Sequence, residues 1–262
     1  MRRILFTALL LLLAGFAVAG ARPAAKPRLT LLVPAYFYPG GKGAAEWDRL
    51  LAAADEAPIV AIVNPASGPG KRRDPNYTAV LKRAKAAGVR TIGYVSTRYA
   101  KRPLADVFGD VDAWARFYPD VEGIFFDEQP SDFKFVDHYG RLSAYVRTKI
   151  RGALIIANPG TLCDELYVKR SAADVETLFE NGRGFDAFKM PAWTRAYSRR
   201  RFAALPYAVK TAEQMTAFVR LAQERRLGYL YVTDDGGRNP WDRLPTCWDE
   251  LVKQVHAANA AG

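Results

Sequence analysis

With 262 residues, half of them hydrophobic and 12% aromatic, the chain can bury a large core and suits one large domain or two small ones. Two cysteines do not make a disulfide framework, and neither they nor the two histidines, His138 and His256, show zinc spacing; this argues against a structural zinc and against Ser-His or Cys-His catalysis. The formal charge of +11 is scattered apart from Lys71-Arg72-Arg73 and Arg199-Arg200-Arg201, and with no nucleic-acid motif beside these runs it is read as surface charge rather than a nucleic-acid site.

Arg2 and Arg3 precede an apolar run, Ile4 to Val18, and small residues follow at Ala17-Val18-Ala19 or Ala19-Gly20-Ala21. That pattern predicts a secretory signal peptide over residues 1–21. A retained anchor is the alternative, although the segment is short for a spanning helix. No later stretch is long enough to cross a bilayer, so a soluble secreted or periplasmic protein is expected, without stable membrane insertion once the signal is removed. Removing Arg2 and Arg3 leaves 36 basic against 27 acidic side chains, a balance of +9. Residues 22–28 read as a Pro- and Ala-rich linker, and residues 29–262 as the folded domain.

Leu29 to Tyr38 forms the first expected strand, closing on Tyr36-Phe37-Tyr38 and the turn Pro39-Gly40-Gly41. A helix is expected over Ala44 to Glu56, then a strand at Ile59 to Val63 ending in Asn64-Pro65. Asp74 and Pro75 mark the next helix start, Tyr77, Val80, Leu81 and Ala84 share one face, and Gly88 stops it. Strand three is Thr91 to Val95, followed by a helix over Leu104 to Tyr118. The fourth apolar run, Val121-Glu122-Gly123-Ile124-Phe125-Phe126, ends abruptly in Asp127-Glu128. A helix over Phe133 to Ile150 leads to strand five, Ala153 to Ala157, which ends at Asn158. Strand six, Val175 to Glu180, again closes on a carboxylate. Phe202 to Tyr207, a helix capped by Thr211 and Gln214, Gly228 to Thr233, and a last helix from about Thr246 complete the pattern.

Eight apolar strands, each followed by a helix or helical segment, imply a parallel sheet covered on both faces. In one domain of this size that is a single (β/α)8 TIM barrel of the α/β class. An open doubly wound sheet is the rival, but Pro39-Gly40-Gly41-Lys42-Gly43 matches a phosphate loop poorly.

In such a barrel the C-terminal strand ends build the site. They would gather Tyr36 and Tyr38, Asn64, Tyr94 and Ser96, Asp127 and Glu128, Asn158, Glu180, Tyr207, and Asp234 and Asp235. Acids and amides bond sugar hydroxyls while aromatic rings cover apolar sugar faces. Glycosidic cleavage usually needs two carboxyl groups, and strands four and six are separated by one strand, which makes Asp127 and Glu180 a plausible pair. Adjacent strand residues point to opposite faces, so one of Asp127 and Glu128 should face the centre while the other supports it. For each tyrosine ordinary core packing competes with this reading, and the asparagines could be turn residues. A Mg²⁺ or Ca²⁺ site built from the same acids is a further alternative.

The blocks Val33-Pro34-Ala35-Tyr36-Phe37-Tyr38-Pro39, Asn64-Pro65-Ala66-Ser67-Gly68-Pro69-Gly70, Asp74-Pro75-Asn76-Tyr77, Gly93-Tyr94-Val95-Ser96-Thr97 and Gly123-Ile124-Phe125-Phe126-Asp127-Glu128 together resemble the spherulin-4-like (spherulation-specific) proteins, grouped with glycoside hydrolase family 135. Val175-Glu176-Thr177-Leu178-Phe179-Glu180-Asn181 is a looser match. The resemblance implies a (β/α)8 glycoside hydrolase acting on exopolysaccharide that contains galactosamine or N-acetylgalactosamine, as in biofilm matrix. The family's acidic pair falls on Asp127 and Glu128 and its later glutamate on Glu180. Asp127 is then the expected nucleophile, Glu180 the general acid/base and Glu128 a supporting carboxylate. Tyr36, Tyr38, Asn64, Tyr94, Asn158, Tyr207, Asp234 and Asp235 are the expected substrate contacts, with no metal and no cofactor. An endo-acting monomer with a polysaccharide partner is expected. The competing functions are a non-catalytic polysaccharide-binding barrel of the cell envelope and a metal-dependent phosphoesterase. Asp127, Glu128, Glu180, Asp234 and Asp235 are also expected to form an acidic mouth favouring partly deacetylated, cationic chains, unless arginines such as Arg98 and Arg238 neutralise it.

Overall fold

The computed structural model describes residues 29–261; the expected signal peptide (1–21) and linker (22–28) lie outside them. The elements run β1 (Thr30–Ala35), α1 (Lys42–Ala52), β2 (Ile59–Val63), α2 (Pro75–Ala86), β3 (Arg90–Ser96), α3 (Leu104–Phe117), β4 (Gly123–Asp127) and α4 (Val136–Lys149). They continue with β5 (Leu154–Ala157), α5 (Glu165–Lys169), β6 (Val175–Asn181), β7 (Phe202–Pro206), α6 (Ala212–Glu224), β8 (Tyr229–Leu230) and α7 (Trp248–Ala261). The strands are parallel, pair in chain order, and close from β8 back to β1. The molecule is a single (β/α)8 barrel.

The local chemistry explains the elements. Every residue of β2 and β5 is buried, as strands enclosed between a barrel interior and a helix layer must be. At α2 the Asp74 carboxylate accepts the N–H groups of Asn76 and Tyr77, Pro75 occupies the first turn, and Gly88 leaves the helix at φ +76°. Trp47, Trp114 and Trp248, on α1, α3 and α7, are all fully buried against the barrel wall. The ends of the described chain are clasped: Leu29 donates to the Asn259 side chain at 2.7 Å and accepts from it at 2.9 Å.

The extents of two strands depart from the sequence expectation. β8 spans two residues, not Gly228 to Thr233. Tyr231 and Thr233 still donate to the Ala204 and Pro206 carbonyls of the β7 edge at 3.1 and 3.2 Å. On the other side the Tyr36 N–H, just past β1, donates to the Trp241 carbonyl, so the segment between β8 and α7 fills the upper seam. Between β6 and β7 the helical segment consists of short 3-10 turns, Ala192–Ala196 and Arg199–Arg201. There Arg199 bonds the Leu227 carbonyl and Arg201 the Val168 and Ala173 carbonyls. Finally, β1 stops at Ala35, and Tyr36 to Tyr38 run on as rim. Cys163 and Cys247 are both free thiols.

A register shift in β6 between Thr177 and Phe179 has the largest effect on the site. In a regular strand Glu176 and Glu180 would share a face. The extra residue reverses that parity and turns Glu180 to the barrel mouth while Glu176 faces the helix layer.

Strand approach is tightest at Gly123, where an added Cβ would lie 1.9 Å from the Leu154 carbonyl oxygen on β5. Gly123→Ala should therefore destabilise the barrel by about 3 kcal/mol, read as a lower urea midpoint at unchanged slope. Gly140→Ala, on α4 with nothing within 4 Å, should instead stabilise by about 0.5–1 kcal/mol.

Candidate active site

The ends of β3, β4, β5 and β6 bring Tyr94, Asp127, Asn158 and Glu180 into one hydrogen-bonded cluster. Asp127 accepts from the Tyr94 hydroxyl at 2.8 Å through Oδ2 and from Asn158 Nδ2 at 2.9 Å through Oδ1. The same Nδ2 donates to Glu180 Oε2 at 2.5 Å. One amide nitrogen thus forks between the two carboxylates. Asn158 is itself buried, and its backbone carbonyl accepts the Gln129 N–H at 3.0 Å. The Tyr36 ring meets Tyr94 edge-on at 5.7 Å. Burial first, then the nearby Asp127, Tyr94 and Glu180, pushes the Tyr36 phenol well above its ordinary range.

The two acids differ electrostatically. Burial, aided by the Asp127 charge and opposed by the Asn158 bond, pushes Glu180 up to about 7. Burial raises Asp127 as well, but it receives three bonds that favour its charged form, from Tyr94, Asn158 and the Glu128 backbone.

Glu128, one residue past β4, also reaches the mouth but bonds a different set of groups. It sits at φ +58°, and its carboxylate accepts from the Ser96 hydroxyl and from the Arg98 N–H at 3.2 Å. Its backbone carbonyl accepts from Tyr99 N–H at 2.7 Å and Thr97 Oγ1 at 2.9 Å. Arg98, Tyr99 and Ala100 are also left-handed, at φ 47°, 55° and 61°. Such residues cost about 1–2 kcal/mol each; here the strain lies beside the acids, where it holds the β3 and β4 corners together. A groove of about 790 Å³ leads away from this corner, lined by Ser67, Tyr94, Ser96, Arg98, Lys101 and Glu128 among others.

Among the described residues, none of the remaining expected contacts bonds the acid pair. Tyr38 stands at the rim, donating to Asp74 at 3.1 Å and accepting from Asn76 at 2.7 Å. Asn64 accepts the Gly68 N–H at 2.8 Å and so holds the turn after β2. Tyr207 packs edge-on against Trp241 at 5.7 Å. Asp234 bonds Arg243 at 3.0 Å and both the N–H and hydroxyl of Thr246; despite partial burial these hold its carboxyl below the usual range. Asp235 lies 3.6 Å from the same guanidinium. Asp234 and Asp235 are thus countered by Arg243, a partner not considered from sequence, and the unpaired acids of the mouth are Asp127, Glu128 and Glu180. No three His, Cys, Asp or Glu among the described residues are grouped to hold a metal ion. Trp241 and Arg243 were missed because they lie after the expected last strand, in a segment without periodicity.

A parallel (β/α)8 barrel with a carboxylate cluster at its C-terminal rim defines the class. The chain belongs to spherulation-specific family 4, whose model matches residues 30–255. Spherulin-4 of Physarum polycephalum is 30% identical over 242 residues, covering 88% of this chain and 71% of that protein. Among solved structures, Sph3 of Aspergillus clavatus in complex with GalNAc superposes with a TM-score of 0.74 at 24% identity, covering 88% of this chain and 99% of that one. The GH99 endo-alpha-mannosidase of Bacteroides thetaiotaomicron gives a TM-score of 0.56 at 8% identity, over 91% and 99% of the respective chains. These likenesses in structure support the barrel fold.

The forked amide makes a prediction independent of function. Asn158→Ala removes a donor that favours both charged carboxylates, so Asp127 and Glu180 should both titrate higher than in the wild type. Tyr94→Phe should raise Asp127 with less effect on Glu180. Carboxyl ¹³C shifts followed against pH would measure both.

Proposed function

We propose that the protein is an exported, endo-acting glycoside hydrolase that cleaves exopolysaccharide containing galactosamine or N-acetylgalactosamine, working as a monomer in a secreted or periplasmic setting. The observation that carries the reading is the single amide nitrogen of Asn158 shared between Asp127 and Glu180. Two oxygens bonded to one nitrogen can be no further apart than the two bonds end to end, under about 5.5 Å. A separation of that order fits the retaining geometry, in which one carboxylate attacks the sugar directly. Membership of the family, and the GalNAc bound in Sph3, support the choice of sugar.

The roles follow from the environments. Glu180, with a pKa near 7, holds a proton at neutral pH and can donate it to the departing glycosidic oxygen. Asp127, bonded by Tyr94 and Asn158, attacks the anomeric carbon to give a glycosyl-enzyme ester. Glu180, now a carboxylate, takes a proton from the water that releases the product. Glu128 braces the β3 corner through Ser96 and Arg98. Tyr36 and Tyr94 offer ring surface beside the acids, and Tyr38 and Tyr207 extend the aromatic rim.

Asp127→Ala and Glu180→Ala should each lower kcat by about 10³-fold or more without unfolding the protein. Reducing ends released from N-acetylated and partly deacetylated galactosamine polymers measure this. Wild-type release by both variants would end the reading, and polymer binding without new reducing ends in the wild type would replace it with a binding barrel. Initial products should keep the anomeric configuration of the substrate.

The pH profile should be bell-shaped. Glu180 must start protonated, so activity falls as pH rises through about 7. Asp127 must be charged, so activity also falls on the acid side, above the ordinary aspartate range because burial raises that carboxyl. Glu180→Gln should remove the alkaline limb from the residual activity.

A further inference from the structure

Glu176 is the second residue of β6 and is fully buried, and Gln129, two residues after Asp127, is buried as well. Neither oxygen of the Glu176 carboxyl has a hydrogen-bond partner, nor does either polar atom of the Gln129 amide, among the described residues. The two residues are neighbours: Glu176 pairs with Ala157 in the β5–β6 register, Gln129 bonds the carbonyl of the next residue, Asn158, and the Gln129 amide acts on the Glu176 carboxyl. Four orphaned buried polar atoms would be costly. Their chemistry is complementary in one state: a protonated carboxyl has one O–H donor and one carbonyl acceptor, and an amide has the converse pair. An ionised carboxylate would instead set two acceptors, its own oxygen and Gln129 Oε1, against each other.

We infer that Glu176, as the neutral acid, forms a cyclic acid–amide clasp with Gln129 and is a positioning residue for the Asp127–Asn158–Glu180 cluster. Its O–H donates to Gln129 Oε1, and its carbonyl oxygen accepts from Gln129 Nε2. The clasp fixes the residue that ends the left-handed corner at Glu128, and the backbone N–H of that residue supports Asn158 through its carbonyl. Asn158 in turn forks between the two acids.

The surroundings favour the neutral form. From α4 and α5 the carboxyl is faced by the phenols of Tyr139 and Tyr167, and from the loop after β5 by the Cys163 thiol. Arg201, before β7, is the one cation among the described groups acting on it, and that guanidinium is bonded to the Val168 and Ala173 carbonyls. Burial pushes Glu176 up to about 8, against the pull of Gln129 and Arg201. A carboxyl raised in this way contributes its full stability below the ordinary range near 4.5 and loses it progressively as pH climbs towards about 8.

Thermal midpoints of wild type, Glu176→Gln and Glu176→Leu from pH 5 to 9 test the clasp without any substrate. Glu176→Gln keeps a complementary amide–amide pair and carries no proton to lose. The wild type should fall relative to it by about 5 °C or more across that range; parallel curves would overturn the clasp. Glu176→Leu should melt lower than Glu176→Gln at every pH. The effect on turnover rests on the hydrolase reading and is measured at pH 6. There Glu176→Gln should stay within about twofold of wild type, while Glu176→Leu should lose about tenfold in kcat with KM little changed. Wild-type kcat in Glu176→Leu would refute the positioning role. A barrel that binds polymer without cleaving it would still show the pH-dependent melting difference, so failure of the hydrolase reading and failure of the clasp are separable.

Discussion

The carboxylate-bearing end of this barrel depends on how one side-chain amide is divided. Two carboxylates brought close together in a poorly solvated mouth repel each other, and one of them must find a proton or a donor. Asn158 supplies a donor to each, so Asp127 and Glu180 are held near one another without both being neutral. Tyr94 adds a second bond to Asp127 alone. That asymmetry separates a carboxylate disposed to stay charged from one disposed to stay protonated.

The backbone around the amide is arranged to keep it there. The bulge in β6 reverses the facing of Glu180 relative to Glu176 and places one acid in the mouth and the other in the wall. Left-handed residues at 98–100 and at Glu128 join the ends of β3 and β4 through hydrogen bonds from Thr97 and Tyr99 to the Asp127 and Glu128 carbonyls. Strain concentrated at a functional corner persists only where neighbouring bonds over-determine it, and this corner has several.

Most of the architecture was legible because it follows from apolar periodicity and from caps. Asp74, Pro75 and Gly88 bounded α2, and Ile59 to Val63 matched β2 end for end. Strand alternation put Asp127 and Glu128 on opposite faces, but Glu128 lies past β4 at φ +58° and bonds Ser96, the register partner of Asp127, so both acids reach the mouth. What was not legible involved parity changes and long-range partners. A bulge leaves no mark in the string Val175-Glu176-Thr177-Leu178-Phe179-Glu180, so Glu176 read as an ordinary strand residue. The only signal was a carboxylate embedded in apolar sequence. The pairing of Asp234 and Asp235 with Arg243 depends on how the segment after β8 folds back, which periodicity does not encode. The upper part of β8 was overestimated for the same reason: its β1 side is taken by Trp241.

The clasp between Leu29 and Asn259 lies at the opposite end of the barrel from the acids, because Leu29 precedes the first strand and the acids follow theirs. The chain therefore enters and leaves its described part on the face turned away from the mouth. A tether joined at Leu29 or Ala261 would hold the described barrel with its groove turned away from the support. Asp127 and Glu180 would then stand at the strand ends opposite the point of attachment.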